Sequence, residues 1–137
     1  MLVVVLSFSN QKGFSYPSQV SNSQILSKQF LRTELYFGMN KNDGTQVLGD
    51  DWNKFLAEEV TPKFPEGFTV LEGLGQYRDS AGKIVKENSK VLILLYPIKN
   101  RKSTNQKIEQ IRQSYKKAFQ QESVLRIDFR QYIRLSF

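Results

Sequence analysis

Two hydrophobic periodicities alternate along this chain in an order that few folds can accommodate. Residues 30–39 alternate polar and apolar side chains with the period of a strand, whereas Trp52, Phe55, Leu56 and Val60 recur with the period of a helix. Two β-rich segments follow, FTVLEGLGQYRD and KVLILLYP, separated by a predicted turn at SAGK. A second helical stripe and a last alternating segment, SVLRIDFR, complete the order β-α-β-β-α-β.

This order predicts an α+β, ferredoxin-like fold with the split β-α-β arrangement, in which a four-stranded antiparallel sheet carries two helices on one face. The predicted strand order is 4-1-3-2, so the first and third strands are central. We assign residues 30–129 to this domain, residues 1–29 to an N-terminal extension and residues 130–137 to a C-terminal tail. The extension is rich in Ser, Gln and Asn after its first residues, a composition typical of a linker.

Local signals predict where the two helices begin. Asp50 or Asp51 can cap the first helix, because a carboxylate there accepts hydrogen bonds from the free N–H groups of the first turn. Ser103, with Gln106 three residues later, fits a capping box for the second helix.

The sheet face without helices is the main functional signal of the sequence. Arg32, Glu34 and Tyr36 should lie on it, close to Asp128 and Arg126 of the last strand, where cross-strand ion pairs can form. The third strand is apolar on both sides, and a strand of that kind is normally buried on both faces. We predict that Val91, Ile93 and Leu95 face the helices. The candidate ligand or interface face is then Arg32, Glu34, Tyr36, Gln76, Arg78, Leu92, Leu94, Tyr96 and Arg126.

The assignment of Gln76 and Arg78 to this face assumes that Gly73 and Gly75 introduce no bulge into the second strand. Something must cover such a face. A second subunit or the terminal segments of the chain would do so, and a small-ligand cavity is the alternative.

Composition excludes several kinds of chemistry. The 137 residues include no Cys and no His, which removes thiol nucleophiles, His general bases and the usual zinc sites. We predict neither a metal nor a cofactor. The net charge is +7, and residues 98–117 hold seven basic residues against one acid. That stretch could meet nucleic acid or an anionic surface, but the solvated face of a helix is the favoured interpretation.

The sequence resembles a bacterial family, domain of unknown function 3574. The matching stretches are RTELYFGMN, EEVTPKFPEGFTVLEGLGQYRD, KVLILLYP and KIEQIRQSYKKAFQQESVLRIDF. The resemblance implies no particular chemistry, but members of that family often carry secretion or lipoprotein signals. Together with the apolar start MLVVVLSFS, which can be the remnant of a signal peptide, it predicts a location outside the cytoplasm, with the cytoplasm as the alternative.

Three classes of function follow. The favoured class is a binding or structural protein, because this class requires the fewest specific residues. Its partner would be a second copy of the chain, bound through the sheet face, or a small-molecule ligand. The alternative is a cofactor-independent enzyme resembling the dimeric α+β barrel monooxygenases or isomerases, with Glu34, Tyr36 or Glu72 as base. Nucleic acid is the least favoured partner, because the third strand lacks the Gly and aromatic pattern of an RNA-recognition motif. No transmembrane segment is expected.

Overall fold

The computed structural model describes residues 29–135, which contain four strands and two helices. The strands are β1 (Gln29–Gly38), β2 (Thr69–Arg78), β3 (Ile84–Pro97) and β4 (Leu125–Arg134). Helix α1 (Gly49–Phe55) continues into a π-helical turn, Leu56–Val60, and a short 3₁₀ turn, Ile98–Asn100, leads into α2 (Arg101–Phe119). The α+β class and the predicted order of elements are therefore confirmed.

The four strands form one antiparallel sheet in the order β2-β3-β1-β4, with β1 and β3 in the centre. This is the predicted strand order. The pairing of β2 with β3 continues without a break from Thr69 to Arg78, so the two glycines of β2 introduce no bulge. The irregularity lies instead between β1 and β4, where the register shifts between Phe30 and Arg32.

Both helices pack on the same face of the sheet. The ring of Phe37 on β1 is fully buried, with its centroid 5.2 Å from Trp52 of α1 and 4.6 Å from Tyr115 of α2. These contacts are edge-to-face, the geometry that aromatic quadrupoles favour. The Tyr115 hydroxyl donates to the Gly38 carbonyl oxygen at 2.8 Å and thereby fixes α2 against the end of β1.

Both helix starts differ from the sequence expectation. Helix α1 begins at Gly49 with Leu48 as N-cap, so Asp50 and Asp51 lie inside its first turn rather than capping it. Helix α2 begins at Arg101, because the 3₁₀ turn after Pro97 already sets the chain in helical geometry. Ser103 lies within the helix, where its hydroxyl donates to the Asn100 carbonyl.

Strand β4 extends beyond the predicted domain boundary at residue 129. It pairs with β1 as far as Gln29↔Arg134, so residues 130–134 belong to the sheet rather than to a tail. The predicted N-terminal extension, except for Gln29, lies outside the described residues.

Candidate functional site

The three polar residues of β1 form one hydrogen-bonded cluster on the sheet face opposite the helices, which we call the open face. The Arg32 guanidinium donates to Glu34 Oε1, with Nε at 2.9 Å, and the Tyr36 hydroxyl donates to Glu34 Oε2 at 2.7 Å. Only 7% of Glu34 is exposed. Because residues i and i+2 of a strand point to the same side, a single strand supplies the whole cluster. We call it the β1 triad.

The surroundings keep Glu34 ionised. The hydrogen bond from Tyr36, together with those from Arg32, lowers the pKa of Glu34, and this outweighs the opposing effect of burial. The same hydrogen bond raises the pKa of Tyr36, because its proton is held by the carboxylate. At neutral pH the triad is therefore a satisfied ion pair with a neutral tyrosine.

Apolar side chains surround the β1 triad on the open face. The register pairs Arg32, Glu34 and Tyr36 with Leu95, Ile93 and Val91 on one side, and with Phe129, Ile127 and Leu125 on the other. Strand β2 adds Leu71 and Tyr77. Six of these residues are well exposed: Leu71 50%, Tyr77 55%, Leu95 43%, Leu125 56%, Ile127 37% and Phe129 42%. The open face is thus an apolar surface with a neutralised polar centre.

The predicted phase of β3 was wrong. Leu92, Leu94 and Tyr96 pair with Leu35, Thr33 and Leu31, so they face the helices and are buried in the core. The open face receives Val91, Ile93 and Leu95 in their place. Since both sides of KVLILLYP are apolar, its sequence cannot fix the phase, and the register with β1 decides it.

Three other candidate residues also lie away from the open face. Gln76 and Arg78 share the helix-facing side of β2 with Val70, but at the exposed hairpin end of the sheet. Arg126 pairs with Leu35 and points toward α2. Of the nine predicted site residues, the structure therefore brings together Arg32, Glu34 and Tyr36, and places the other six on the opposite face.

Arg126 joins β4 to α2. Its guanidinium donates to Glu109 Oε1 at 2.7 Å and to Asn105 Oδ1 at 2.8 Å, and its Nε donates to Asp128 at 3.0 Å. The predicted cross-strand ion pairs of Arg126 and Asp128 with Arg32 and Glu34 do not form, because the two pairs lie on opposite faces of the sheet.

A chain of hydrogen bonds continues from Asp128 into the core. Thr33 donates its hydroxyl proton to Asp128 Oδ1 at 2.7 Å, and the Thr33 and Tyr96 hydroxyl oxygens are 3.0 Å apart. Since Thr33 has one proton and gives it to the carboxylate, Tyr96 must be the donor in its contact with Thr33. The polar atoms of buried Thr33 and Tyr96 are thereby satisfied.

An open groove of about 1370 Å³ lies between the start of α2 and the edge strand β4. We call it the edge groove. Leu31, Tyr96 and Ile98 contribute to its lining, as does the polar pair Asn105 and Asp128. Its basic residues are Lys99, Arg101, Lys102, Arg126 and Arg130. The basic stretch 98–117 was the sequence signal for this groove. The sequence alone favoured the solvated face of a helix for that stretch and therefore did not predict a site there.

Two features of the described residues bear on the class of site. Among residues 29–135 no three or more Asp or Glu side chains come together in a group that could hold a metal ion. No helix in the same range is long and apolar enough to cross a membrane.

Comparisons with known proteins identify the family. The family model described as "Protein of unknown function (DUF3574)" matches residues 32–135. The chain belongs to this family. The match covers β1 from Arg32 onward, the other three strands and both helices, so in this DUF3574 member the β1 triad and all of the edge groove except Leu31 lie inside the family domain.

Solved structures share the fold at low sequence identity. A phage SAM lyase in complex with S-methyl-5'-thioadenosine is 16% identical, with a TM-score of 0.59, and the match covers 90% of this chain and 97% of that one. A phage SAM lyase in its apo state is 17% identical, with a TM-score of 0.56 and coverage of 90% and 98%. No curated protein matches this DUF3574 member. Identities this low show a common fold and carry no activity to this chain.

Proposed function

We propose that this DUF3574 member is a ferredoxin-like binding protein that self-associates through the open face of its sheet. The observation that carries the proposal is the set of six large apolar side chains, 37–56% exposed, on that one face. Exposed apolar side chains gathered in this number on one face of a domain mark an interaction surface. Because Leu71, Leu95 and Ile127 come from three different strands, the patch spans the whole sheet.

Charge favours a second copy of the chain as the occupant. The chain has a net charge of +7, so two copies repel each other at most surfaces. On the open face, however, the charged residues of β1–β3 and of residues 125–129 are Arg32, Glu34 and Glu87, with Arg32 and Glu34 already paired. Two such faces can therefore meet about a two-fold axis without opposing like charges.

The area is sufficient for a dimer. Four strands about 4.8 Å apart and ten residues long give a face of roughly 19 Å by 33 Å, or about 600 Å² for each partner. The pair would bury roughly 1,200 Å², above the ~1,000 Å² that a specific interface needs. The β1 triad would lie at the centre, where its internal pairing leaves no unsatisfied charge on dimerisation.

The three bases considered from the sequence do not favour an enzyme. The pKa of Glu34 and that of Glu72 are lowered, Glu72 chiefly by its hydrogen bond with Lys90. The pKa of Tyr36 is raised, so little tyrosinate is available at neutral pH. The lowered pKa makes Glu34 and Glu72 weaker bases, and the raised pKa leaves Tyr36 without the ionised form that a general base requires. Binding is therefore the function that these residues support best.

The location outside the cytoplasm stays a prediction, because residues 1–9, on which it depends, lie outside the described residues. The intact mass of the protein in cytosolic and exported fractions tests it, and an untrimmed chain found in the cytosol would contradict it.

A matched pair of substitutions tests self-association. Ile127→Glu places a charge on the open face, whereas Leu74→Glu places the same charge on the opposite side of β2, where Leu74 is 68% exposed. In sedimentation velocity, we expect wild type and Leu74→Glu to sediment as the same oligomer and Ile127→Glu to sediment as a monomer. Identical sedimentation of all three would contradict the proposal. A second result would also contradict the proposal: a wild-type protein that is monomeric and binds an apolar dye only after residues 1–28 are removed. The chain's own terminus would then cover the open face.

A further inference from the structure

The edge groove carries an excess of positive charge, with five basic residues and one acidic residue, Asp128, in its lining. All 13 acidic residues of the chain lie between Glu34 and Asp128, within the described range. None of them forms an ion pair with Lys99, Arg101, Lys102 or Arg130 among residues 29–135. Arg126 alone of the groove's cations is paired, with Glu109 and Asp128. The groove therefore has four cations available for an anion.

The position of three of these cations is electrostatically unfavourable in the isolated chain. Lys99, Arg101 and Lys102 lie in the 3₁₀ turn and the first turn of α2, and that first turn contains no acid. The N-terminal end of a helix carries partial positive charge, which favours anions and disfavours cations. A bound anion would relieve both the dipole and the mutual repulsion of the three side chains.

Apolar side chains line the base of the groove. Leu31 and Tyr96 are buried at 8% and 7% exposure, and Ile98 is half-buried beside them. The hydrogen bonds of Tyr96, Thr33 and Asp128 hold the polar groups at this base in place. A ligand that fits these features has an organic body on the apolar base and a multiply charged anionic group among the cations.

We propose that the edge groove binds a small molecule that carries phosphate groups on an apolar or planar organic body. Arg101 and Arg130 supply planar guanidinium forks that match two phosphate oxygens at once, and Lys99 and Lys102 supply point charges. The volume of about 1370 Å³ exceeds the ~300–1,000 Å³ usual for ligand sites, because the groove is open on one side. The ligand would occupy the part between α2 and β4. The site goes beyond self-association through the open face, and the two surfaces adjoin at Phe129, which belongs to the open face and also lines the edge groove.

The probes are ADP, inorganic pyrophosphate and adenosine, titrated calorimetrically into the full-length protein. We expect ADP to bind more tightly than pyrophosphate, because only ADP can use the apolar base, and adenosine to show no measurable binding. If adenosine binds as tightly as ADP, the cations do not contribute to binding and the proposal is overturned. Pyrophosphate binding as tightly as ADP would overturn the role of the apolar base.

Two double substitutions separate a site from general electrostatic attraction. Lys102→Gln with Arg130→Gln removes two charges from the groove, whereas Lys86→Gln with Lys117→Gln removes two exposed charges elsewhere. The first pair should weaken ADP binding at least about tenfold and the second pair less than about twofold, with thermal unfolding of both within a few degrees of wild type. Equal weakening by both pairs would contradict a built site. An oligonucleotide that binds more tightly than ADP and displaces it would also overturn the proposal, because the groove would then serve a nucleic acid.

Discussion

Glu34 is the residue on which the open face depends most. Both of its carboxylate oxygens are engaged, one by Arg32 and the other by Tyr36, on a side chain almost fully removed from solvent. The alternation of RTELYFGMN predicted that these three side chains share a face, and the structure confirms it. The sequence predicted cross-strand ion pairs with Asp128 and Arg126 instead, and these do not form because Arg126 and Asp128 lie on the helix side of β4.

Replacing Glu34 with Gln should destabilise the protein in a pH-dependent way. The folded-state pKa of Glu34 lies below its ordinary value of 4.5, so its contribution is complete above that pH and is lost as the pH falls through the folded-state pKa. Urea unfolding at fixed protein concentration should therefore show Glu34→Gln less stable than wild type by about 1.5–3 kcal/mol at pH 7, the range for hydrogen bonds to a charged group. The difference should shrink below about pH 4.

Glu66→Gln is the matched control for this prediction, because Glu66 is exposed on the loop before β2. It should differ from wild type by less than about 0.5 kcal/mol at either pH. A Glu34→Gln deficit that is the same at pH 7 and at acidic pH would contradict the ionised, hydrogen-bonded state of Glu34.

For the strands and helices, the sequence predicted the type of each element correctly. It was less successful in predicting which side of each strand faces the helices. The order of strands in the sheet was correct because hydrophobic period and right-handed crossovers together constrain it. The sequence did not determine which side of β3 and which side of β4 faces the helices. In β3 both sides are apolar. In β4 the apolar residues Leu125 and Ile127 face outward because Arg126 and Asp128 find partners on the helix side, in α2 and at Thr33. A sequence pattern does not reveal such partners.

Because Arg126 on β4 faces the helices, we expect Arg126→Ala to lower the free energy of unfolding strongly and Arg78→Ala to lower it only slightly. Arg126 makes hydrogen bonds to two carboxylates and to Asn105, so its loss should lower the free energy of unfolding by about 1.5–3 kcal/mol. Arg78 is exposed and donates to the Gly82 carbonyl, so its loss should cost less than about 0.5 kcal/mol. Chemical denaturation of both variants measures the difference, and equal small effects would contradict the tether between β4 and α2.

For the whole molecule, the two faces of the sheet divide the surface by chemistry. The helix side carries the edge groove, with four unpaired cations among the described residues, while the open face is apolar with a neutralised triad. The clustering of basic residues in 98–117 was visible in the sequence. Their convergence on one groove was not, because it depends on where β4 lies relative to the start of α2.

The most direct test of the central claim is the molar mass of the wild-type protein, measured by light scattering after size-exclusion chromatography over a range of loading concentrations. We predict a mass of twice the 15.9 kDa of the chain, or a higher multiple, at concentrations of about 100 μM, with Ile127→Glu at 15.9 kDa under the same conditions. A wild-type mass of 15.9 kDa at every concentration up to that value would contradict self-association through the open face.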